Sequence, residues 1–303
     1  MQIGISLSSQ QLDLCLLSPN SPDAGISSPT GQSPPVASYF SLPDWRHNLG
    51  HFLRNNRALK RQLQKHPLCL SLSDPLVPPT LIDLPKAEND EQLRNLIIYH
   101  SQELLALEAQ DMVLDFTALP KEAWRGQKTQ GFVCAEHRDR VQQLWQDFSQ
   151  HGIELKWIES LEFSLGRFAR QFSHHQTQAH LIALEQHLLL QIYHQNQLSL
   201  QRHLNFNLGF QHSLASQHLL DALILELQRS FDFFEHHMAL SEVTAMSFIS
   251  PIPLSPHLAD QLADQIRPRL NTQVLTTDQE SAQQSKDWWR QWAAQGAAMR
   301  VSP

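Results

Sequence analysis

Two short apolar runs, IGISL at 3–7 and LDLCLL at 12–17, are separated only by SSQQ. Runs of that length with so short a polar break predict a β-hairpin at the very start of the chain. The residues after the hairpin limit the fold further. Residues 36–41 (VASYFS) predict a third strand, 45–65 a helix ending at His66-Pro67, and 68–72 (LCLSL) a buried strand. Asp44 is the candidate N-cap of that helix. The order hairpin, helix, strand then recurs in the second half of the chain. No tandem repeat of solenoid length is present. At 303 residues, a chain with that recurrence is expected to fold as two or more lobes rather than one compact core.

Between the halves lies a different pattern. LIDLP at 81–85 ends a strand, 90–107 is an amphipathic helix, and 111–116 and 131–135 are strands. A helix at 137–150 and a strand at 153–158 come next. Residues 160–172 predict a helix and 174–178 a polar linker. Residues 180–192 and 197–206 predict two long strands joined at HQNQ. A helix at 213–238, a strand at 243–249, a helix at 257–270, a short strand at 273–275 and a helix at 285–299 complete the pattern. The expected division is 1–80 with 159–178 as the core of a first lobe, 81–158 as an inserted α/β subdomain, and 179–303 as a second lobe.

Composition enters where function is at stake. The 303 residues are 41% apolar and 17% charged, enough to bury a core in each of two lobes. The net charge of −7 argues against a dedicated nucleic-acid surface. The cysteines, Cys15, Cys69 and Cys134, are odd in number, lack a CxxC and lie in apolar runs, which predicts buried thiols in a reducing compartment. The N-terminus has no basic segment before an apolar one, and no run approaches a membrane span, so no signal peptide and no direct span are expected. The 17 histidines show no HExxH or Cys/His ligand spacing, and no metal site is expected. Glu159 and Glu162 read as acids at a helix start. Trp288, Trp289 and Trp292 read as core of the last helix, with a partner contact as the alternative. Arg54, Arg57, Lys60, Arg61 and Lys65 form a basic helix face, read as solvated, with anionic lipid or an acidic partner as the alternative.

Five stretches together resemble one family. They are IGISLSSQQLDLCLL at 3–17; LIDLP at 81–85 with VLDFTAL at 113–119; GIELKWIESLEFSLGR at 152–167; LLLQIYHQNQLSLQRHL at 188–204; and AAQGAAMR at 293–300. Their order is similar to that of the PilM-like type IV pilus assembly proteins, and among them the MSHA-type pilus biogenesis proteins, a branch of the actin-like superfamily. The resemblance implies an α/β, two-lobed actin-like (ribonuclease H-like) fold with a small inserted subdomain. It also implies a cytoplasmic scaffold, peripheral at the inner membrane through partners, that captures the tail of a bitopic inner-membrane pilus protein. The pilus assembly ATPase is a second implied partner. The tail's groove is expected near the inserted subdomain, at Leu81, Ile82, Leu84, Leu93 and Ile97.

The superfamily's nucleotide site is expected to be lost. Where its first hairpin carries Asp, Gly and Lys, this chain has Ser6, Ser8 and Asp13. The second hairpin has Ala183 and Glu185 in place of Asp and Gly, and the adenosine turn reads Ser250-Pro251 rather than paired glycines. An acid in place of a cation opposes a triphosphate by about 4 kcal/mol at 4 Å. No catalysis and no cofactor are therefore expected. The alternatives are an ATP-binding regulatory switch and the cytoplasmic part of a type II secretion L-type protein.

Overall fold

A computed structural model describes residues 2–18, 36–105, 108–172, 175–184, 187–206, 217–250, 264–266, 270–276 and 288–300. Residues 19–35, most of the helix expected at 257–270, and the candidate positions Glu185 and Pro251 lie outside the described residues.

The described residues form two five-stranded sheets and one three-stranded sheet. In the first, β1 (Gln2–Leu7), β2 (Gln11–Ser18) and β3 (Val36–Pro43) form an antiparallel meander. β1 then runs parallel to β4 (Leu68–Leu72), and β4 parallel to β8 (Leu155–Ser160). The second sheet repeats the plan. β9 (Thr177–Ala183), β10 (Leu188–His194) and β11 (Gln197–Leu204) form its meander; β12 (Ala245–Ser250) and β13 (Asn271–Thr276) add parallel to β9. β5 (Val77–Asp83), β7 (Gln130–His137) and β6 (Met112–Ala118) make the small antiparallel sheet.

In the first unit, Ile3, Ile5 and Leu7 alternate along β1 and pack with Leu68, Leu70 and Leu72 of β4. Three helices cover that face: α1 (Trp45–Asn55), α2 (Arg57–Lys65) and α4 (Arg138–Ser149). They contribute Trp45, Leu49, Leu59, Leu63, Leu144 and Phe148 to one core, with Trp45 stacked on Phe148 at 5.7 Å. The single helix expected over 45–65 is two helices. Asn56 separates them: its φ of −114° and ψ of 62° are not helical, and its side-chain Nδ2 donates to Phe52 O at 2.9 Å, sharing the acceptor of its own backbone N–H. Asn competes in this way for the backbone groups a continuous helix would use. Asp44 does precede α1 but caps nothing with its side chain, which pairs instead with His47 Nδ1 at 2.9 Å.

The expected long strand over 180–192 is two strands, β9 and β10, turning where Leu184 N–H donates to His187 O at 2.9 Å. Every residue of both strands is buried, so no polar alternation marks the turn. Thr177 and Gln178, expected in a linker, are buried in β9. The expected turn at HQNQ is present: Gln195 and Asn196 have φ of 49° and 66°, the paired positive φ of a type I′ hairpin. The helix expected at 213–238 is α6 (Gln217–Asp232) followed by a π-turn at Phe233–His237.

The chain divides into two compact units, Met1–Ala118 with Gln130–Phe168 and Arg290–Pro303, and Leu119–Thr129 with Ala169–Trp289. Three boundaries differ from the expected ones. The inserted sheet spans β5 to β7, while α4 and β8 belong with the first five-stranded sheet, because β8 pairs with β4 and Leu144, Phe148 and Leu155 fill its core. The second unit begins at Ala169 rather than 179 and includes Leu119–Thr129. The last helix, α7 (Trp288–Arg300), belongs from Arg290 onward to the first unit rather than the second lobe.

Candidate functional site

The face of the first sheet opposite this core carries small and polar residues. Strand pairing lines up Ser41 on β3, Asp13 on β2, Ser6 on β1, Ser71 on β4 and Glu159 on β8 in one row across all five strands. Ser6 is fully buried, and the hydroxyls of Ser6 and Ser71 have no hydrogen-bond partner among the described residues. Asp13 is 3% exposed; Gln11 Nε2 donates to both its carboxylate oxygens at 3.2 Å and to Ser41 Oγ at 2.8 Å. Ser8 is committed to the turn. Its Oγ accepts from Gln11 N–H at 3.1 Å, and its own N–H donates to Gln11 O at 2.9 Å. The hairpin is closed with a two-residue tip, Ser9-Gln10, and the positions aligned with a phosphate cradle are used inside the sheet.

α7 lies on this face. Ala294 and Ala298 pack with Cys15 and Leu17, and a Cβ on Gly4 would meet Ala294 O and Ala298 N, both at 2.1 Å. The row's end at Glu159 is a charge centre that the helix-start reading of Glu159 missed. Glu159 accepts from Arg167 at 2.7 and 2.9 Å, from Ser164 Oγ at 2.5 Å and from Arg300 at 2.5 Å. Burial pushes its carboxyl up, but the bonds and charges of Arg167, Ser164 and Arg300 outweigh burial and hold it below the ordinary carboxylate range. The two arginines come from α5 (Leu161–Arg170) and α7, so the sequence carried only half a signal: Ser164 and Arg167 three apart on one helix.

Glu162, also on α5, is the opposite case: it is buried and its pKa is raised, chiefly by burial. A carboxyl whose folded pKa lies above its unfolded value of 4.5 lowers stability as pH rises from that value toward the folded one. Glu162→Gln is therefore expected to raise the urea midpoint at about pH 7 and to leave it unchanged at about pH 4. Burial also raises the thiols of Cys15 and Cys134 from 9.0 to about 12, and raises Cys69, so all three stay protonated and inert.

The five expected groove positions separate. Leu84 and Ile97 are buried in the core of the small sheet with Met112, Leu114 and Val133, and Ile82 and Leu93 pack against that core under α3 (Asp90–Leu105). All four pack in or against the core of the small sheet. Leu81 points the other way, because neighbouring residues of a strand face opposite sides. Its partner there is Phe132 on β7, which is paired in turn with Thr117 on β6. Cys134 shares this face, and its thiol feels the charges of Asp115, Glu162 and Glu159 after the larger effect of burial. This second face of the small sheet thus comes within electrostatic reach of the β8–α5 corner.

In the second unit, Ala183 ends β9 fully buried and paired with Leu188; Ser250 ends β12 paired with Thr276 and 5% exposed. Neither offers the carboxylate or the open glycine turn that a nucleotide needs. His180, between Gln191 and Ser247 in strand register, has no partner for either ring nitrogen among the described residues. Burial, then the charge of Arg170, lowers its pKa to about 3, so it is neutral. Trp288, Trp289 and Trp292 are all buried, Trp292 stacking on Phe168 at 5.3 Å. Among the described residues no three metal-ligating side chains converge, and no helix is long and apolar enough to cross a membrane.

Two five-stranded sheets of the same mixed order, each opening with a tight antiparallel hairpin, define an actin-like fold. Solved structures agree. A chain of the PilM-PilN type IV pilus biogenesis complex matches with a TM-score of 0.59 and 17% identity over 100% of this chain and 99% of that one. The cytoplasmic domain of EpsL, an inner membrane component of the type II secretion system of Vibrio cholerae, matches with a TM-score of 0.53 and 11% identity over 98% of this chain and 94% of that one. No family model matches the sequence, and no curated protein matches it. At these identities the likeness is one of fold.

Proposed function

We propose that this protein is a non-catalytic cytoplasmic scaffold of a type IV pilus machine, related to MshI of the MSHA pilus, and that it holds the cytoplasmic tail of an inner-membrane protein. The observation that carries the non-catalytic part is Asp13. It is a buried carboxylate, bonded within its own sheet, where phosphate-binding members of the superfamily place a cation. Titration of Mg-ATP by calorimetry should give no heat; micromolar binding would restore the nucleotide-switch reading. The fold likeness to a chain of the PilM-PilN complex and to EpsL supports the scaffold part. The likeness to EpsL equally favours a type II secretion setting for the same role.

Leu81 and Thr117, both partly exposed beside the buried Phe132, mark the face we choose for the tail. An extended segment there would set apolar anchors against a sheet face while its backbone runs beside an edge strand. Anisotropy of a labelled tail peptide from a bitopic pilus protein measures this directly. Leu81→Arg should weaken binding at least tenfold, since it places a charge among the anchors. Tyr99→Ala on α3, 70% exposed and remote from that face, should leave binding unchanged. Equal loss in both variants, or none in either, would move the tail elsewhere.

A further inference from the structure

One surface of the first unit is charged in a way that the tail-binding role does not use. Residues 45–73 contain six of the 23 Lys and Arg of this acidic chain and none of its 30 Asp and Glu. They fold into α1 and α2, and the packing of α2 sorts them. Leu59 and Leu63 are 7% and 4% exposed against the core, while Arg57, Arg61 and Lys65 repeat every fourth residue on the opposite, exposed side. Arg54, exposed in the last turn of α1, extends the patch, and Lys60 flanks it half-buried. The charge is concentrated enough to be felt on a neighbour: after burial, the positive charges of Lys60 and Arg54 are what hold His151 below its ordinary pKa. Among the described residues, no acid pairs with Arg54, Arg57, Arg61 or Lys65; the segment's cation that does reach α4 is Arg46, 3.4 Å from Asp147.

We propose that the outer face of α2, with the end of α1, docks directly on anionic phospholipid headgroups. Headgroups fit this surface better than other polyanions do. A stable protein interface centres on apolar or aromatic anchors, and single-stranded RNA needs stacking platforms. Neither is present, since no large apolar side chain is exposed anywhere on α1 or α2. A headgroup layer requires only cations on flexible stems along one face, and each contributes roughly fivefold to partition. The chain's net negative charge does not oppose this, because beyond about 10 Å the remaining charges are screened from the lipid plane.

Co-sedimentation of the full chain with phosphatidylcholine vesicles, with and without phosphatidylglycerol, tests the proposal with no pilus protein present, so its failure leaves the tail reading standing. The expected result is pelleting with the anionic vesicles alone, reversed by salt. The triple variant Arg57→Gln, Arg61→Gln, Lys65→Gln should bind about a hundredfold more weakly. The charge-conserving pair Arg57→Lys, Arg61→Lys should bind as the parent does, which separates lost charge from lost folding. Binding to the neutral vesicles alike, or an unchanged triple variant, overturns the proposal. So does tighter binding to poly(U) RNA or polyglutamate than to the anionic vesicles.

Discussion

Glu159→Ala is expected to lower the unfolding free energy by about 3 kcal/mol, the low end for breaking a buried ion pair. The carboxylate is 3% exposed, and its removal leaves the guanidinium groups of Arg167 and Arg300 facing each other across the space it filled. Arg300 is 37% exposed, so water recovers part of the loss, which is why the low end applies. The loss also has a pH signature. The folded pKa of Glu159 lies below its unfolded value of 4.5, so its stabilisation is complete above 4.5 and is lost as pH falls through the folded value. Urea melts of the parent and of Glu159→Gln should therefore differ most at about pH 7 and converge in acid. An unchanged difference at both ends would mean that shape rather than charge holds α7 in place.

Gly296→Ala should be the second large effect, again through α7. A Cβ at 296 would stand 1.8 Å from Ser164 O and 2.6 Å from Ser164 C, backbone atoms that no rotamer change can move. The helix must then shift away from α5, straining the bond between Arg167 and Gly296 O and the stack of Trp292 on Phe168. The expected loss is about 2–3 kcal/mol, or a fall in melting temperature of about 5–10 °C. Gly50→Ala gives the internal contrast. It is also helical, but its nearest foreign atom to a new Cβ is His151 Cε1 at 3.4 Å, an ordinary contact. With no clash, the helix propensity of Ala over Gly should raise stability by about 0.5–1 kcal/mol. Scanning calorimetry of the two variants, opposite in sign, checks the seat of α7.

The outcome for individual elements shows what kind of information the sequence held. β1, β2, β4, β6 and β7 were legible because short apolar runs were bounded by turn residues. The break at Asn56 was not, since the apolar spacing of α1 continues into α2 and only a local bond interrupts it. The turn between β9 and β10 was hidden in strands buried on both faces. The site was legible by identity and illegible by direction. Ser6, Ser8 and Asp13 read as lost phosphate contacts, but nothing in their spacing says that Asp13 bonds to Gln11 inside the sheet. Leu81 and Ile82 read as one groove, and the strand sends them to opposite sides.

By itself, then, the sequence determined the β1–β2 and β10–β11 hairpins, the helical character of the segments after them, and the absence of Gly and Lys where phosphate chemistry wants them. All of these depend on neighbours within one turn or one strand. Only the tertiary structure decided that α7 returns to the first sheet, that β8 belongs to that sheet rather than to the insertion, and that Glu159 is held by Arg167 and Arg300. The reason is physical. Periodicity and turn chemistry act over a few residues, whereas Gly4 meets Ala294 and Glu159 meets Arg300 only after the whole chain has folded between them.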